Sequence, residues 1–340
     1  MDTFARETAN ERAVVIRETA ARIGVTAIVI EKDFWVCWTL KRLFSLPAPG
    51  AGMIFKGGTS LSKGFGAIDR FSEDIDISLD RRDLGFGDDL KSWTKLSNKR
   101  RAAQFELLHA TAETHVGGPL REKLTKAFVE ALNHEGFMLE IDEIDPQTLN
   151  FTYPACLNVG DYKLDYIKPI VRLEFGARSD HWPAQFRSIS PYINNCFPDF
   201  LSEPSCEVKL LSAERTFWEK ATILHMLYHR GTDKPLANRM SRHYYDLARI
   251  AAMPIKSSAL DDLGLLTKVA EHKNIFFKAA AAKYDEARPG SLRLTPNPDL
   301  EKVLRADYRD MSQMLFGPVV EFDDVLEVLA DLETEINSLS

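Results

Sequence analysis

The sequence predicts an α+β protein, with a mixed β-sheet domain flanked by helices over residues 1–205 and an all-α lobe over residues 206–340. Three observations lead to this prediction. A short apolar stretch runs into a glycine turn and then into an alternating strand near residue 75. Several strand-like stretches follow between residues 137 and 176. From Leu210 onward the apolar spacing is helical, with breaks that contain Pro or Gly.

The first elements are predicted from periodicity and from helix breakers. Residues 5–23 and 29–44 carry apolar side chains at helical spacing, and the prolines and glycine of Pro47–Gly50 end the second helix. Met53–Phe55 is then expected to form a short buried strand. Residues 73–79 alternate charged and apolar side chains, which is typical of a strand with one buried face.

The next elements follow from the same two periodicities. A polar stretch over residues 81–118 precedes a helix at about 119–135. Strands, for which we expect antiparallel pairing, are then predicted in four places, at residues 137–141, 149–153, 162–166 and 170–176. A connection dotted with Pro and Asn fills residues 177–206, and the helical lobe has breaks near residues 231–235, 254, 288–298 and 317–318.

The composition is that of a chain with a packed core. Apolar residues make up 45% of the 340 residues and charged residues 27%, which excludes a wholly disordered protein. The net charge of −7 argues against non-specific coating of nucleic acid, although a local basic patch can still dock RNA. Four cysteines without C-x-x-C spacing favour free thiols over a disulfide framework or a zinc site. Without a signal-peptide pattern or a bilayer-spanning run, we expect a cytoplasmic protein with no membrane partner.

The most informative stretch contains a pair of carboxylates on a predicted strand. Asp74 and Asp76 are two residues apart, so their side chains share one face, with α-carbons roughly 6.5 Å apart. Ile75 and Ile77 would anchor the other face in the core. Two adjacent carboxylates repel each other unless a cation lies between them, and Mg²⁺ prefers such oxygen ligands.

A glycine turn precedes this pair. Gly57, Gly58, Thr59 and Ser60 offer backbone N–H groups and hydroxyls, and such a turn at the start of a helix can bind a polyphosphate. The turn and the acid pair together suggest metal-assisted nucleotidyl transfer. Taken alone, an Asp-x-Asp pattern is often only a solvated strand face. The Walker and EF-hand patterns are absent, and the order of strand, turn, short helix and acid-bearing strand favours a functional site.

These residues resemble a known family. The stretch FKGGTSLSKGFGAIDRFSEDIDISLD, residues 55–80, is similar to motif I of the nucleotidyltransferase superfamily, in which Gly-Gly or Gly-Ser is followed by Asp-x-Asp/Glu. More narrowly it resembles the AbiEii/AbiGii toxin family of abortive-infection and type IV toxin–antitoxin systems. The resemblance extends to Glu31–Trp35 upstream and to residues 214–230 and 239–250 downstream, with a weakly matched middle.

The superfamily resemblance implies a third carboxylate on a neighbouring strand. In residues 170–176, Arg172 and Glu174 share one strand face while apolar residues share the other, so Glu174 is our first choice. Asp165 is the second choice. The alternative is that Arg172 and Glu174 form a solvent-facing stripe without catalytic function.

The toxin-family resemblance also implies a lysine and an aspartate in the helical lobe. Lys220 corresponds to a lysine that contacts the nucleotide phosphates, where a cation would neutralise the leaving pyrophosphate. Asp246 would position Lys220 or the acceptor hydroxyl. The ordinary explanations are that Lys220 extends over an apolar stripe and that Asp246 belongs to a salt-bridged helix face.

Other side chains around the motif have two interpretations each. Ser72 matches a family position that carries Ser or Thr; it would bind phosphate or cap the turn, and in related toxins phosphorylation can block this position. Lys56 and Arg70 flank the motif and would help to hold phosphates, or would be solvated bases.

Two weaker signals lie outside the motif. His225 and His229 have a spacing that can hold zinc, but the glutamate of H-E-x-x-H is missing, so core or surface histidines are favoured. The basic residues between Lys91 and Arg101, with Trp93 among them, would guide an RNA backbone, or would form a mobile solvated loop.

The resemblance and the residues together predict a nucleotidyltransferase toxin that depends on Mg²⁺ or Mn²⁺. Its substrate would be a nucleoside triphosphate bound between the two domains, its acceptor a nucleic-acid 3′ hydroxyl with tRNA favoured, and its partner an antitoxin. The metal ligands would be Asp74, Asp76 and Glu174; the nucleotide would be bound by Lys56, Gly57 to Ser60, Ser72 and Lys220. The alternatives are transfer to a small molecule or protein hydroxyl, and a nucleotide-binding regulator without turnover.

Overall fold

A computed structural model describes most of the chain. The described residues are 1–72, 74–87, 90–133, 136–157, 168–230, 235–312, 314–317 and 320–339. The chain divides into two compact units. The first unit comprises residues 1–64, 72–89 and 96–210, and the second comprises residues 65–71, 90–95 and 211–340.

The first unit begins with helices at the places that the periodicity predicts, with one difference. The predicted helix over residues 5–23 is divided into α1 (Asp2–Arg6) and α2 (Ala9–Ile23). Thr8 starts α2 with a capping box, in which its hydroxyl accepts from the Glu11 N–H while the Glu11 carboxylate accepts from the Thr8 N–H. The chain therefore restarts a helix where the uninterrupted spacing suggests one continuous helix. Helix α3 (Ala27–Phe44) follows, as predicted.

The predicted strand, glycine turn and alternating strand are present. Strand β1 (Met53–Lys56) runs directly into α4 (Gly57–Phe65), and β2 (Ile75–Leu79) follows. Ile75 and Ile77 are fully buried, as expected for the apolar face of β2.

The polar stretch after β2 is helical. Helix α5 (Leu90–Thr94) precedes α6 (Asn98–His115), and α7 (Arg121–Leu132) corresponds to the helix predicted at 119–135. A π-helical turn, Val116–Leu120, joins α6 to α7 and contains Pro119, whose missing N–H disturbs regular α-helical bonding. Lys91 thus lies in α5 and Lys99 to Arg101 lie in α6, so the alternative of a solvated loop fits only Lys95 between the two helices.

Seven strands in the described ranges form one mixed sheet. The remaining ones are β3 (Met138–Ile141), β4 (Thr148–Thr152), β5 (Ile170–Gly176), β6 (Ala184–Ile189) and β7 (Cys206–Leu211), and the strand order is β3-β4-β5-β2-β1-β7-β6. Strands β3, β4 and β5 pair antiparallel, as predicted. Strand β2 pairs antiparallel with β1 and parallel with β5, and β1 pairs parallel with β7.

The connection predicted at 177–206 is more structured than its Pro and Asn content suggests. It contains β6 and the short helix α8 (Tyr192–Cys196), and β7 begins at its end. Strand β7 lies beside β1, so the sheet continues beyond residue 205. The predicted strand at 162–166 lies outside the described residues.

Buried polar side chains of α3 fix neighbouring parts of the first unit. The Glu31 carboxylate accepts from the Cys156 N–H at 2.6 Å, and Lys32 donates to the Lys168 carbonyl at 3.2 Å. Asp33 forms a buried ion pair with Lys63 of α4 at 2.6 Å and also accepts from the Tyr192 N–H. These bonds pair charges that would otherwise be costly to bury. The block Glu31–Trp35 is therefore part of the scaffold.

The second unit is helical after β7 ends at Leu211. Its helices are α9 (Ala213–His229), α10 (Ser241–Ala251), α11 (Ile255–Leu260), α12 (Leu263–Phe276), α13 (Pro298–Ser312) and α14 (Phe322–Ser338). Each gap between them falls near a break predicted from Pro and Gly, except the short one between α11 and α12. None of the helices in the described ranges combines the length and apolar character needed to cross a bilayer.

Candidate active site

A row of charged side chains crosses the middle of the sheet in the first unit. Asp76 of β2 lies opposite Lys56 of β1 on one side and opposite Glu174 of β5 on the other. Residues that lie opposite each other on adjacent strands project to the same face. The Lys56 Nζ is 3.8 Å from the Asp76 Oδ1. Asp74 precedes the first residue of β2 and is half-buried, so the sheet brings the predicted acid pair together with Glu174.

The electrostatics of Glu174 show that the carboxylates interact. Partial burial, followed by the nearby Asp74 and Asp76, raises the pKa of Glu174 from 4.5 to about 7. Arg172 opposes this rise and lies 3.4 Å from the Glu174 Oε1 through its Nε. Arg172 and Glu174 therefore share one face of β5, as the alternation predicts. The same face of the sheet carries Asp76 on the neighbouring strand. The other choice for the third acid, Asp165, lies outside the described residues.

Gly57 brings the backbone against the Asp76 carboxylate. Its φ is +80°, and a β-carbon built at this position would lie 1.9 Å from the Asp76 Oδ2. Any other residue would need both a strained backbone and a displaced carboxylate. The turn therefore requires glycine at this point for two separate reasons.

The first turn of α4 begins at Gly57, which places the backbone N–H groups of the glycine turn at a helix N-terminus beside the acids. These N–H groups have no acceptor within the helix and favour anions. The two hydroxyls in the turn have internal partners instead. The buried Ser60 hydroxyl donates to the Gly57 carbonyl at 2.9 Å, and the buried Thr59 hydroxyl donates to the Asp74 carbonyl at 2.6 Å. Of the predicted phosphate-binding groups in this turn, the backbone is the better candidate.

Ser72 is linked to the same turn. The Thr59 and Ser72 hydroxyl oxygens are 3.0 Å apart. Because the Thr59 proton is used by the Asp74 carbonyl, the Ser72 hydroxyl is the donor in this bond. Thr59 thus connects the glycine turn to both Ser72 and Asp74.

In the second unit, the predicted Lys220 and Asp246 form a buried ion pair. The Lys220 Nζ lies 2.7 Å from the Asp246 Oδ2, and the Asp246 side chain is fully buried. Burial alone would raise the pKa of Asp246, but Arg70 and Lys220 outweigh burial and hold it below its ordinary value. Burial lowers the pKa of Lys220, and Asp246 partly opposes this.

Arg70 has a partner that its neighbours in the sequence do not reveal. Its Nε and Nη2 donate to the Asp246 Oδ1 and Oδ2 at 2.7 and 2.9 Å, and the side chain is 6% exposed. Arg70 is therefore not a solvated base. No local sequence signal could reveal this contact, since the two residues are 176 positions apart.

The two weaker signals have structural explanations. His225 is fully buried; its Nδ1 accepts from the Arg293 N–H at 3.1 Å, and its Nε2 lies 3.0 Å from the Lys283 carbonyl. Both ring nitrogens thus have protein partners, as expected for a core histidine. Trp93 is 4% exposed and packs against Phe276, so it offers no surface for stacking RNA bases.

Within the described ranges, no three or more His, Cys, Asp or Glu side chains are gathered closely enough to form a ready metal-binding cluster. The chemistry of the donors nevertheless fits a hard divalent cation. Three carboxylates share one region, and after burial their mutual repulsion is the next cause of the raised pKa of Glu174. A bound cation would relieve this repulsion.

A mixed sheet with an acid pair, and a glycine turn that opens a helix beside it, define the class of the nucleotidyltransferases. A family model described as "Nucleotidyl transferase AbiEii toxin, Type IV TA system" matches residues 38–328, and the chain belongs to this family. The protein is accordingly a nucleotidyltransferase.

The solved structures that are similar to this chain include a mycobacterial and a Helicobacter protein. MenT4, the nucleotidyltransferase toxin Rv2826c from Mycobacterium tuberculosis H37Rv, matches with a TM-score of 0.53 and 16% identity over 97% of this chain and 90% of that chain. This likeness shows the fold alone. JHP933 from Helicobacter pylori matches with a TM-score of 0.40 and 16% identity over 89% of this chain and 91% of that chain. A search of curated proteins found no match.

Proposed function

We propose that this nucleotidyltransferase is Mg²⁺-dependent and transfers a nucleoside monophosphate from a nucleoside triphosphate to the 3′ hydroxyl of an RNA, with tRNA the favoured acceptor. The observation that carries the proposal is the row Lys56–Asp76–Glu174 with Asp74 beside it. The rise of the Glu174 pKa to about 7 supports an interacting carboxylate set. In bacteria that carry such a system, the toxin would act in the cytoplasm and a cognate antitoxin would counter it.

Each residue of the proposed site would bind the metal ion, bind the nucleotide or orient another residue. Asp74, Asp76 and Glu174 would hold the divalent ion, which supplies charge neutralisation for the triphosphate when it is bound. Mn²⁺ would suit the same oxygen ligands. The backbone N–H groups at Gly57 to Ser60 would bind phosphate oxygens, with Ser72 and Lys56 beside them. Lys220 would contact the β- or γ-phosphate, and Asp246 would orient Lys220.

The proposed reaction is a displacement at the α-phosphorus. The acceptor hydroxyl oxygen forms a new bond to this phosphorus, the bond between the α-phosphorus and the bridging oxygen breaks, and pyrophosphate leaves with that electron pair. The hydroxyl proton passes to one of the three carboxylates. Positive charge from Lys220 would stabilise the leaving pyrophosphate.

The test uses the full-length protein with total RNA and each nucleoside triphosphate labelled at the α-phosphorus. We expect Mg²⁺-dependent label in small RNA, none with γ-labelled nucleotide, and a loss of about a hundredfold or more in Asp76→Asn. Asp199→Asn, an exposed carboxylate away from the row, is the matched control.

Other outcomes identify the alternatives. Label in protein or in a small molecule would replace RNA as the acceptor. Nucleotide binding without any transfer would indicate a regulator rather than an enzyme. A small regulator gene beside the toxin gene would support the antitoxin.

A further inference from the structure

Lys56 is the cation at one end of the row Lys56–Asp76–Glu174 in the first unit. It lies opposite Asp76, and Asp76 lies opposite Glu174, so the three side chains follow one line across strands β1, β2 and β5. Side chains that lie opposite each other on adjacent strands project to the same face. Among the residues that the structure describes, Lys56 forms its ion pair with Asp76. A protein cation therefore lies next to carboxylates that are proposed to hold a metal ion.

The ion pair between Lys56 and Asp76 is loose and accessible. The Lys56 Nζ and the Asp76 Oδ1 are 3.8 Å apart, which is too long for a hydrogen bond, and the side chains are 25% and 29% exposed. A second lysine–aspartate pair of the first unit is different, because Lys63 and Asp33 are 2.6 Å apart and only 6% and 5% exposed. The buried pair is a fixed part of the scaffold. The Lys56 ammonium, in contrast, can leave Asp76 without breaking a hydrogen bond.

The two oxygens of the Asp76 carboxylate have different neighbours. Oδ2 lies against the backbone at Gly57, where a β-carbon would be 1.9 Å away, and Oδ1 is the oxygen 3.8 Å from the Lys56 ammonium. Burial and then the neighbouring aspartates raise the pKa of Glu174, and the positive charges of Arg172 and Lys56 act against this rise. Positive charge at this place thus balances the carboxylates, as a divalent cation would also do.

Arg172 is another cation at the row, but carboxylates hold it from two sides. Its Nε lies 3.4 Å from the Glu174 Oε1, and its Nη1 lies 3.5 Å from the Asp142 Oδ2. Lys56 has a flexible four-carbon stem and directly precedes Gly57, where helix α4 begins. The backbone N–H groups proposed to bind phosphate therefore start at the residue next to Lys56. Of these two cations, Lys56 is the one placed to move between the acids and a triphosphate.

We propose that Lys56 is a built-in counter-ion that balances the carboxylates in the metal-free protein, gives up Asp76 to a divalent cation, and then contacts the triphosphate of the substrate. Lys56 therefore competes with the cation for Asp76, and it assists nucleotide binding only after the cation has entered. This inference rests on the proposed metal site. It adds an order of binding, in which the cation precedes the nucleotide.

The test measures how Lys56→Met changes two dissociation constants of the full-length protein in titration calorimetry. The first is for Mn²⁺ alone, and loss of the competing charge should lower it about fivefold. The second is for the Mn²⁺ complex of inorganic tripolyphosphate added to Mn²⁺-loaded protein, and loss of the ammonium should raise it about tenfold. The two effects have opposite signs, whereas a poorly folded variant should bind both probes less tightly.

Two variants serve as controls. Lys56→Arg keeps the positive charge, so both dissociation constants should stay within about threefold of wild type. Lys126→Met removes another lysine that lies near a carboxylate, since its Nζ is 4.0 Å from the Glu130 Oε1 within helix α7. This matched variant should leave both dissociation constants unchanged.

The outcomes separate this inference from the proposed function. If wild type binds Mn²⁺ and either dissociation constant is unchanged in Lys56→Met, the counter-ion role is overturned while the proposed function stands. Weaker binding of both probes would make Lys56 only a structural residue and would also overturn it. A wild type that binds no Mn²⁺ would remove the metal site and this inference together. Opposite shifts in the two constants without any label transfer by wild type would retain the inference and remove the proposed reaction.

Discussion

Asp76 and Glu174 lie opposite each other on two parallel neighbouring strands, β2 and β5. Burial, and after it Asp74 and Asp76, raise the pKa of Glu174 and so shift it toward its neutral form. This relationship gives the site a measurable dependence on pH.

The stability of the metal-free protein should fall with rising pH because of Glu174. Its pKa is raised from 4.5 to about 7 in the folded state. Between these values the folded protein binds more protons than the unfolded protein, so the free energy of unfolding decreases as pH rises and levels off above about 7. For a partly exposed group we expect roughly 1 kcal/mol. Urea denaturation of wild type and Glu174→Gln in EDTA should show this slope in the wild type only.

Added Mg²⁺ should move the Glu174 transition to lower pH, because a metal ion binds the deprotonated carboxylates. Glu140→Gln, an exposed glutamate on β3, should retain the wild-type slope. Equal slopes in wild type and Glu174→Gln would contradict the interaction among the three carboxylates.

Gly57→Ala should inactivate the enzyme. The new β-carbon would meet the Asp76 Oδ2 at 1.9 Å, and displacing this carboxylate should reduce nucleotidyl transfer by about a hundredfold. Gly24→Ala is a close control: its φ is +79° but a β-carbon there meets nothing within 4 Å. The control should lose about 1 kcal/mol of stability and keep its activity. Comparable activity in the two variants would show that the Gly57 contact is unimportant.

Thr59→Val should remove the hydrogen bond that the Thr59 hydroxyl donates to the Asp74 carbonyl. The substitution keeps the side-chain shape but leaves the Asp74 carbonyl without its donor at 2.6 Å, which should cost about 1–2 kcal/mol and lower transfer activity. Thr59→Ser should keep both. Thr19→Val removes a buried hydroxyl that donates to the Val15 carbonyl within a helix, so it should not change activity. Chemical denaturation and label transfer would report the two effects separately.

His225→Gln should destabilise the protein most at neutral pH. Burial lowers the pKa of His225, so the folded state favours the neutral ring. The stability that the neutral ring contributes is therefore fully present above the ordinary pKa of 6.5 and is lost as pH falls below it. Losing two hydrogen bonds should cost about 2 kcal/mol at pH 7. The difference from wild type should shrink toward pH 5, whereas His109→Gln, at a side chain of α6 that is 43% exposed, should show little effect at either pH. A constant difference would argue against the neutral ring.

The positions of Asp76 and Glu174 within their strands could be predicted because this information is local. The spacing of Asp74 and Asp76, and the alternation around Glu174, each depend on residues within one strand, and strand periodicity places them on a face. That Asp76 and Glu174 lie side by side depends on which strands pair, which the family resemblance supplied.

Contacts between distant residues could not be predicted in this way. Arg70 and Asp246 have no local pattern that connects them, and Trp93 is buried by Phe276 from a distant helix. Strands β6 and β7 were missed because their surroundings are rich in turn residues, while pairing with the sheet decides their conformation.

The buried bonds of Glu31, Lys32 and Asp33 have a consequence for recognising relatives from genome sequences. In the part of the chain that the structure describes, these side chains bond to Cys156, Lys168, Lys63 and Tyr192. A pseudoenzyme that has lost its acids can therefore keep this block unchanged. Such a block identifies the scaffold, and active members must be distinguished by the glycine and the aspartates themselves.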